Sequence, residues 1–223
     1  MYFPPLSDET VKKYQKHRKA QKKIHSALLD LEHKELLKES LKELRISMKG
    51  DIVYLEDPSE EDMPLDFMFY NLPCQKDGKT AIEVFSEKPG LSAMERRILK
   101  AMQCNFLSLF RVEQIFPESC CVLLKDLLSN DDDEEKYYEL IDIGFSQTAT
   151  KGCLLATRLL CFDDFCMTSG VSWGFNAKRE KYLLRQLSKR LKKVPDEEKN
   201  KEKFKIFFEL NRKLGNEVIM LSL

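Results

Sequence analysis

The chain has 223 residues, of which 43% are hydrophobic and 33% are charged, and its 37 basic and 37 acidic residues give a formal net charge of zero. This composition is too apolar for an intrinsically disordered protein, and it supplies enough hydrophobic residues for a real core. No stretch reaches the ~18 consecutive apolar residues that predict a transmembrane helix.

Residues 1–50 are predicted to form an N-terminal helical arm. The stretch Ser7–Leu44 has the pattern of one long helix or of two joined helices, and Ser7 is a suitable N-cap. The first half of this stretch has few apolar residues, so we expect it to contribute little to the core. Gly50 and Asp51 end the arm, and Ile52–Leu55 is predicted to be a short strand.

Residues 51–175 are predicted to form a central α+β domain. Two of its helices begin with the capping-box pattern, at Thr80–Glu83 and at Ser92–Glu95. From Phe106 to Gly170, short apolar and aromatic runs alternate with turn residues. This spacing predicts a small antiparallel β-sheet or half-barrel in meander order, with helices on both sides. Trp173 is expected in the loop that leaves the sheet.

Residues 176–223 are predicted to form C-terminal helices and an apolar tail. Asn176 can cap a basic amphipathic helix, and Asp196 can cap a last helix that buries phenylalanines 204, 207 and 208. The chain then ends in the apolar hexapeptide Val218–Leu223, which is either an added strand or a docking peptide.

Several short motifs follow one another between residues 66 and 170: Asp66-Phe67-Met68-Phe69, Gly78-Lys79-Thr80 with Phe85, Ser108-Leu109-Phe110 with Val112, Leu124-Lys125-Asp126, and Leu155-Ala156-Thr157-Arg158. Their order resembles a domain of bacterial proteins that often accompanies the SEC-C zinc-binding motif. The resemblance implies an aromatic strand at Asp66, a helix that begins at Thr80, and a small antiparallel sheet. The cysteine-rich zinc-binding tail of those proteins has no counterpart here, because no Cys or His follows Cys166.

The residues that most often carry chemistry do not form a recognisable catalytic or metal-binding pattern in this sequence. Most of the seven cysteines lie in apolar runs without a Cys-x2–4-Cys knuckle, which is typical of buried thiols. Together with an N-terminus that does not have the pattern of a signal peptide, they predict a cytoplasmic protein. We expect His17, His25 and His33 to be surface residues, and we predict no catalytic residue, no metal and no cofactor. A hydrolase would need a carboxylate pair among Asp66, Asp126, Asp142 and Asp163.

Charge is unevenly distributed along the chain, which favours a role in binding. Residues 12–23 contain seven Lys or Arg and no acid, and residues 178–193 contain eight with one acid. We predict a non-enzymatic adaptor or accessory subunit that binds a protein partner in a larger bacterial assembly, for example a secretion or defence complex. The alternative is a nucleic-acid-associated regulator whose basic helices contact phosphates.

The predicted partner-binding residues belong to three groups, and the sequence leaves the oligomeric state open. They are Val11, Lys12, Tyr14, Lys16, Arg18 and Lys19 on the arm, Lys178, Arg179, Arg185, Lys189 and Arg190 on the basic helix, and Val218, Ile219 and Leu221 in the tail.

Overall fold

The computed structural model describes residues 8–30, 34–129 and 135–215. Among these residues the helices are α1 (Asp8–Leu29), α2 (Lys34–Glu43), α3 (Met63–Asn71), α4 (Ala81–Ser86), α5 (Ala93–Gln103), α6 (Ile143–Thr148), α7 (Glu180–Leu191) and α8 (Lys199–Leu214). The strands are β1 (Ser47–Lys49), β2 (Ile52–Tyr54), β3 (Phe106–Phe116), β4 (Cys121–Asp126), β5 (Tyr137–Ile141), β6 (Leu154–Cys161) and β7 (Cys166–Phe175). The fold is therefore α+β, as predicted.

The chain divides into two compact units, one formed by residues 17–104 and the other by residues 1–16 together with 105–223. We call them the helical unit and the barrel unit. The units divide after residues 16 and 104, whereas the sequence predicted boundaries after residues 50 and 175. In particular, residues 51–104 belong with the preceding helices, whereas the sequence placed them with the sheet.

The helical unit is built around α3, whose side chains are buried almost all round. Phe67, Met68 and Phe69 are each at most 2% exposed. The resemblance implied a strand at Asp66–Phe69, and this expectation is wrong, because Pro64 stands in the first turn of a helix that continues to Asn71. The α2 helix packs against α3, where the buried Ser40 hydroxyl donates to the Pro64 carbonyl at 2.7 Å.

Two further helices of this unit begin as the sequence predicted. The Thr80 hydroxyl accepts from the Glu83 amide while the Glu83 carboxylate accepts from the Thr80 amide at 2.7 Å, and Ser92 and Glu95 make the same reciprocal pair. These capping boxes satisfy backbone donors that the first turn of a helix leaves without an intrahelical partner.

The predicted strand at Ile52–Leu55 is also present, as β2, and it pairs with β1 in a two-stranded hairpin. Lys49 lies opposite Ile52, so Gly50 and Asp51 form a two-residue loop. Gly50 has φ +62°, a left-handed conformation that hairpin loops of this length require and that glycine adopts without steric cost.

The barrel unit contains a five-stranded sheet that closes on itself in the order β3-β4-β5-β7-β6. All pairs are antiparallel except the short parallel contact of β5 with β7. The prediction of a meander is wrong, because β6 lies between β7 and β3 instead of beside β5. The eleven residues of β3 allow this order, since its first half pairs with β6 and its second half with β4.

The interior of the barrel is apolar, and its core includes Phe110, Val122, Leu124, Leu140 and Leu159, each fully buried. On the outside, α8 packs against β3 and β7. Trp173 lies within β7 and not in a loop, and its buried ring meets those of Phe204 and Phe207 at 4.8 and 5.9 Å. The phenylalanines of the last helix are therefore buried as predicted.

The start of α8 differs from the prediction. Asp196 makes no capping hydrogen bond, and α8 begins at Lys199 after a short 3-10 turn. Instead, the Asp196 carboxylate pairs with Lys199 at 2.5 Å. Asn176, in contrast, accepts from the Lys178 amide at the start of the turn that leads into α7, as expected.

Candidate functional site

The α1 helix carries the first predicted group of partner-binding residues, and the structure shows that only some of them are exposed. Lys12, Lys16 and Lys19 are exposed at spacings of four and three, so they lie along one side of the helix. Val11 and Arg18 are half-buried, and Arg18 donates to the Gln21 side chain at 2.8 Å.

Tyr14 is not an exposed anchor, contrary to the prediction. It is 6% exposed and its ring meets that of Phe165 edge-on at 6.4 Å, within the barrel unit. Its neighbour Lys13 pairs with Asp164 at 2.9 Å. The start of α1 therefore rests on the tip of the β6–β7 hairpin, and the aromatic side chain is used for packing inside the protein.

The basic segment that comprises α7 and the turn before it likewise contains both exposed cations and cations in ion pairs. Lys178, Arg179, Arg185 and Lys189 are exposed. Arg190 instead pairs with Glu209 and Glu202 of α8, at 2.9 and 3.4 Å, so it holds two helices together. The one acid of this segment, Glu180, accepts two hydrogen bonds from Arg111 of β3, at 2.9 and 2.5 Å.

Three of the predicted partner-binding residues, Val218, Ile219 and Leu221, lie outside the described residues, as does His33. The expectation of surface histidines is wrong for His17, which is 4% exposed. Burial also lowers the pKa of His25, whose ring lies 6.0 Å from that of Phe69. Both lie in α1, on the face that its apolar residues bury, and eight-residue spacing alone did not identify that face.

Two of the carboxylates considered for acid–base chemistry have structural partners. Asp126 accepts from the Ser108 hydroxyl and from the Leu128 amide at the end of β4. Asp142 accepts from the Phe145 amide at 2.9 Å and caps α6. Hydrogen bonds of this kind explain both residues as supports of the barrel.

Several polar side chains lie at the end of the barrel at which β4 and β6 finish and β3, β5 and β7 begin. Besides Ser108 and Asp126, it contains Tyr138, Cys161 and Cys166. The Tyr138 ring packs between Phe106 and Phe110, at 5.2 and 5.9 Å. Burial, then Asp126 and the two cysteines, raise the pKa of Tyr138 to about 12, so its hydroxyl stays protonated at neutral pH.

Most of the exposed large apolar side chains among the described residues belong to the β1–β2 hairpin, which sequence reasoning did not single out. The β1–β2 hairpin exposes Met48, Ile52, Val53 and Tyr54, with Ile52 63% and Tyr54 52% exposed. Residues directly opposite share a face, so Ile52 and Tyr54 lie on one side and Met48 and Val53 on the other. Ile52-Val53-Tyr54 is a β-branched and aromatic run after Gly-Asp, which indicates a strand but not that both of its faces are exposed.

Among the described residues, the structure contains neither a cluster of metal-binding side chains nor a membrane-spanning helix. No group of three or more His, Cys, Asp or Glu side chains is placed to hold a metal ion. No described helix is long and apolar enough to cross a membrane.

Comparison with known protein families gives one match. Residues 8–221 match a family of unknown function, DUF7986, which covers nearly the whole chain. The chain belongs to this family. In the same comparisons, no curated protein and no solved structure matches the chain. The family is one of unknown function, and the resemblance to the SEC-C-associated domain stays a prediction.

Proposed function

We propose that this protein is a non-enzymatic adaptor or accessory subunit that binds a partner protein through the β1–β2 hairpin. The observation that carries the proposal is the exposure of four large apolar side chains on an element of only six strand residues. Isolated exposed apolar residues are common, but four on the two faces of one short hairpin are typical of an interaction site.

The backbone of the hairpin supports the same proposal. Within the described part of the chain, β1 and β2 pair only with each other. The outer backbone groups of each strand therefore remain open to another strand, and a two-stranded sheet by itself is only marginally stable in water. The expected occupant is an extended segment of the partner with apolar side chains at alternate positions, which adds a strand and covers one face.

The test is an affinity purification of the tagged full-length protein from its native cell, with and without nuclease and at low and high salt. The hairpin variant is Ile52→Thr/Tyr54→Thr, which places a strand-favouring residue at both positions but removes apolar area. The matched control is Arg185→Gln/Lys189→Gln, and a third variant lacks Val218–Leu223. Recovered proteins are quantified by mass spectrometry.

We expect to recover one partner protein in stoichiometric amount, both after nuclease treatment and at high salt. Its recovered amount should fall at least about tenfold with the hairpin variant and should be unchanged with the α7 control. The complex is then rebuilt from purified proteins to measure the same loss of affinity. Full recovery with the hairpin variant would contradict the proposal, and loss only on removal of residues 218–223 would assign the binding to the tail.

The second candidate function, a nucleic-acid-associated regulator, has one observation in its favour. Lys181, Arg185 and Lys189 recur at intervals of four along α7, are exposed, and have no acidic partner among the described residues. Such a row fits a phosphate backbone, and binding would weaken steeply with salt. Nucleic acid that is recovered at low salt, lost at high salt and lost with Arg185→Gln/Lys189→Gln would favour this function.

A further inference from the structure

Cys161 and Cys166 lie directly opposite each other where β6 turns into β7. The next pair toward the tip, Phe162 and Phe165, is joined by a backbone hydrogen bond of 2.8 Å. Because hydrogen-bonded and non-hydrogen-bonded pairs alternate in an antiparallel ladder, the two cysteines occupy a non-hydrogen-bonded pair. In such a pair the Cα atoms are about 4.5 Å apart and the side chains are at their closest.

A disulfide can join two residues that occupy such a pair. Disulfides link residues whose Cα atoms are about 4.4–6.8 Å apart, and the spacing typical of a non-hydrogen-bonded pair lies at the lower end of that range. Both cysteines are reduced in this structure, and as directly opposite residues their side chains lie on the same face of the sheet. Closing an S–S bond therefore needs only a short approach of two side chains.

The two thiols differ in the way that thiol–disulfide exchange requires. Cys161 is exposed at the end of the barrel, and the hydrogen bond from Cys166 lowers its pKa. Cys166 is buried in the barrel core, and this hydrogen bond, burial and nearby Glu139 raise its pKa. Cys161 can thus be reached by a reagent from solvent, and Cys166 is held behind it as the second thiol.

We propose that Cys161 and Cys166 form a reversible redox site that exchanges with a small-molecule disulfide of the glutathione type. The Cys161 thiolate attacks one sulfur of the disulfide, the S–S bond breaks, and one glutathione leaves as a thiol after taking up a proton. Cys166 then loses its proton and attacks the Cys161 sulfur, and the second glutathione leaves. Two cysteine thiols are oxidised to one disulfide while one glutathione disulfide is reduced to two thiols.

The other five cysteines lack this arrangement. Cys120 and Cys121 are neighbours in sequence, and Cys121 belongs to a strand in which successive side chains point to opposite faces. Cys104 is exposed, like Cys161, but it stands at the end of α5 with no cysteine opposite it. It is therefore the matched control for a single exposed thiol.

The experiment equilibrates the full-length protein in buffers of increasing ratio of glutathione disulfide to glutathione, blocks free thiols by alkylation, and maps every cysteine by peptide mass. In the wild-type protein we expect Cys161 and Cys166 to lose their reactive thiols together, with the loss of two hydrogen atoms and no bound glutathione. Dithiothreitol should restore both thiols. Cys104 should instead carry glutathione.

Two variants keep the test independent of the effect of substitutions on folding. In Cys166→Ala, Cys161 should accumulate bound glutathione, because no second thiol displaces it. In Cys161→Ser, a change at an exposed position, Cys166 should stay reduced. The proposal is overturned if wild-type Cys161 keeps glutathione while Cys166 remains alkylatable, if Cys161 stays reduced throughout, or if it pairs with another cysteine.

Discussion

The β1–β2 hairpin and the barrel are built from the same kind of strand, but they differ in what covers their edges and faces. Each barrel strand pairs with two neighbours, and Leu124 and Leu140 inside it are fully buried. Each strand of the hairpin has one partner among the described residues, and all six of its strand residues are exposed. Closure of the barrel thus pairs the backbone groups of its strand edges and buries its inner apolar side chains. The hairpin instead keeps backbone groups and apolar side chains available to another protein.

The largest effect is expected where the barrel is covered from outside. Trp173→Ala removes a fully buried ring that meets Phe204 and Phe207, and should cost about 3–5 kcal/mol in the free energy of unfolding of the barrel unit. Denaturant unfolding followed by circular dichroism, with hydrogen exchange to locate the change, measures this loss. Tyr182→Ala, at an exposed position on α7, is the control and should change stability by less than about 0.5 kcal/mol.

A smaller and local effect is expected at the loop of the hairpin. Gly50→Ala places a side chain at φ +62°, which should cost about 1 kcal/mol although no atom beyond the neighbouring residues of the chain lies within 4 Å of the added carbon. Hydrogen exchange of the β1 and β2 amides should become faster, while that of the barrel strands is unchanged. Gly50→Asn should restore part of the protection, because asparagine tolerates this conformation. Equal exchange in all three proteins would show that the loop does not hold the hairpin.

Trimming the exposed face of the hairpin should have little effect on folding. Ile52→Ala removes apolar area that is already in contact with water, so the free energy of unfolding of the helical unit should change by less than about 0.5 kcal/mol. Urea unfolding of the purified protein measures it. A loss of several kcal/mol would mean that Ile52 is packed inside the protein, and the comparison with the barrel would then fail.

The smallest change is expected at Glu139 of β5, which is only half-buried and therefore partly screened by solvent. Burial raises its pKa above the ordinary value of 4.5, so the folded state binds this proton more tightly than the unfolded chain does. Ionisation of Glu139 therefore lowers the free energy of unfolding. This loss is absent below about pH 4.5 and is complete once the pH is above the raised pKa. Glu139→Gln should therefore stabilise the barrel at pH 7, with a gain that fades in acid, as unfolding at several pH values would measure. A gain that grows in acid would contradict this assignment.

Local chemistry made several features predictable from sequence. Thr80 with Glu83 and Ser92 with Glu95 satisfy backbone groups within one turn, so four residues suffice to define a helix start. The strand at Ile52 followed from a β-branched run after Gly-Asp, and the α+β class followed from alternating short runs and helical periods. Each of these signals acts over about 18 residues or fewer.

The interaction surfaces could be predicted only in part. The basic runs on α1 and α7 were visible in the sequence, but the pairing of Lys13 with Asp164 and of Arg190 with Glu209 was not, because the partners lie 151 and 19 residues away. The helical spacing of Tyr14 in the sequence is the same whether its ring is exposed to solvent or packed against Phe165, so the sequence did not show which of the two occurs. The sequence shows that a helix carries many charged residues, but only the tertiary contacts decide which of them form ion pairs.

The sequence by itself therefore determined the class of the fold, the capping boxes at Thr80 and Ser92 and the burial of the aromatic residues of α8, since these depend on neighbours along the chain. Only the tertiary structure decided that β6 pairs with β3, that Asp66–Phe69 is helical, and that Cys161 faces Cys166 across a turn. Strand order and register depend on contacts between distant segments, in which a shift of one residue reverses every face. The open hairpin and the paired thiols both arise at that level.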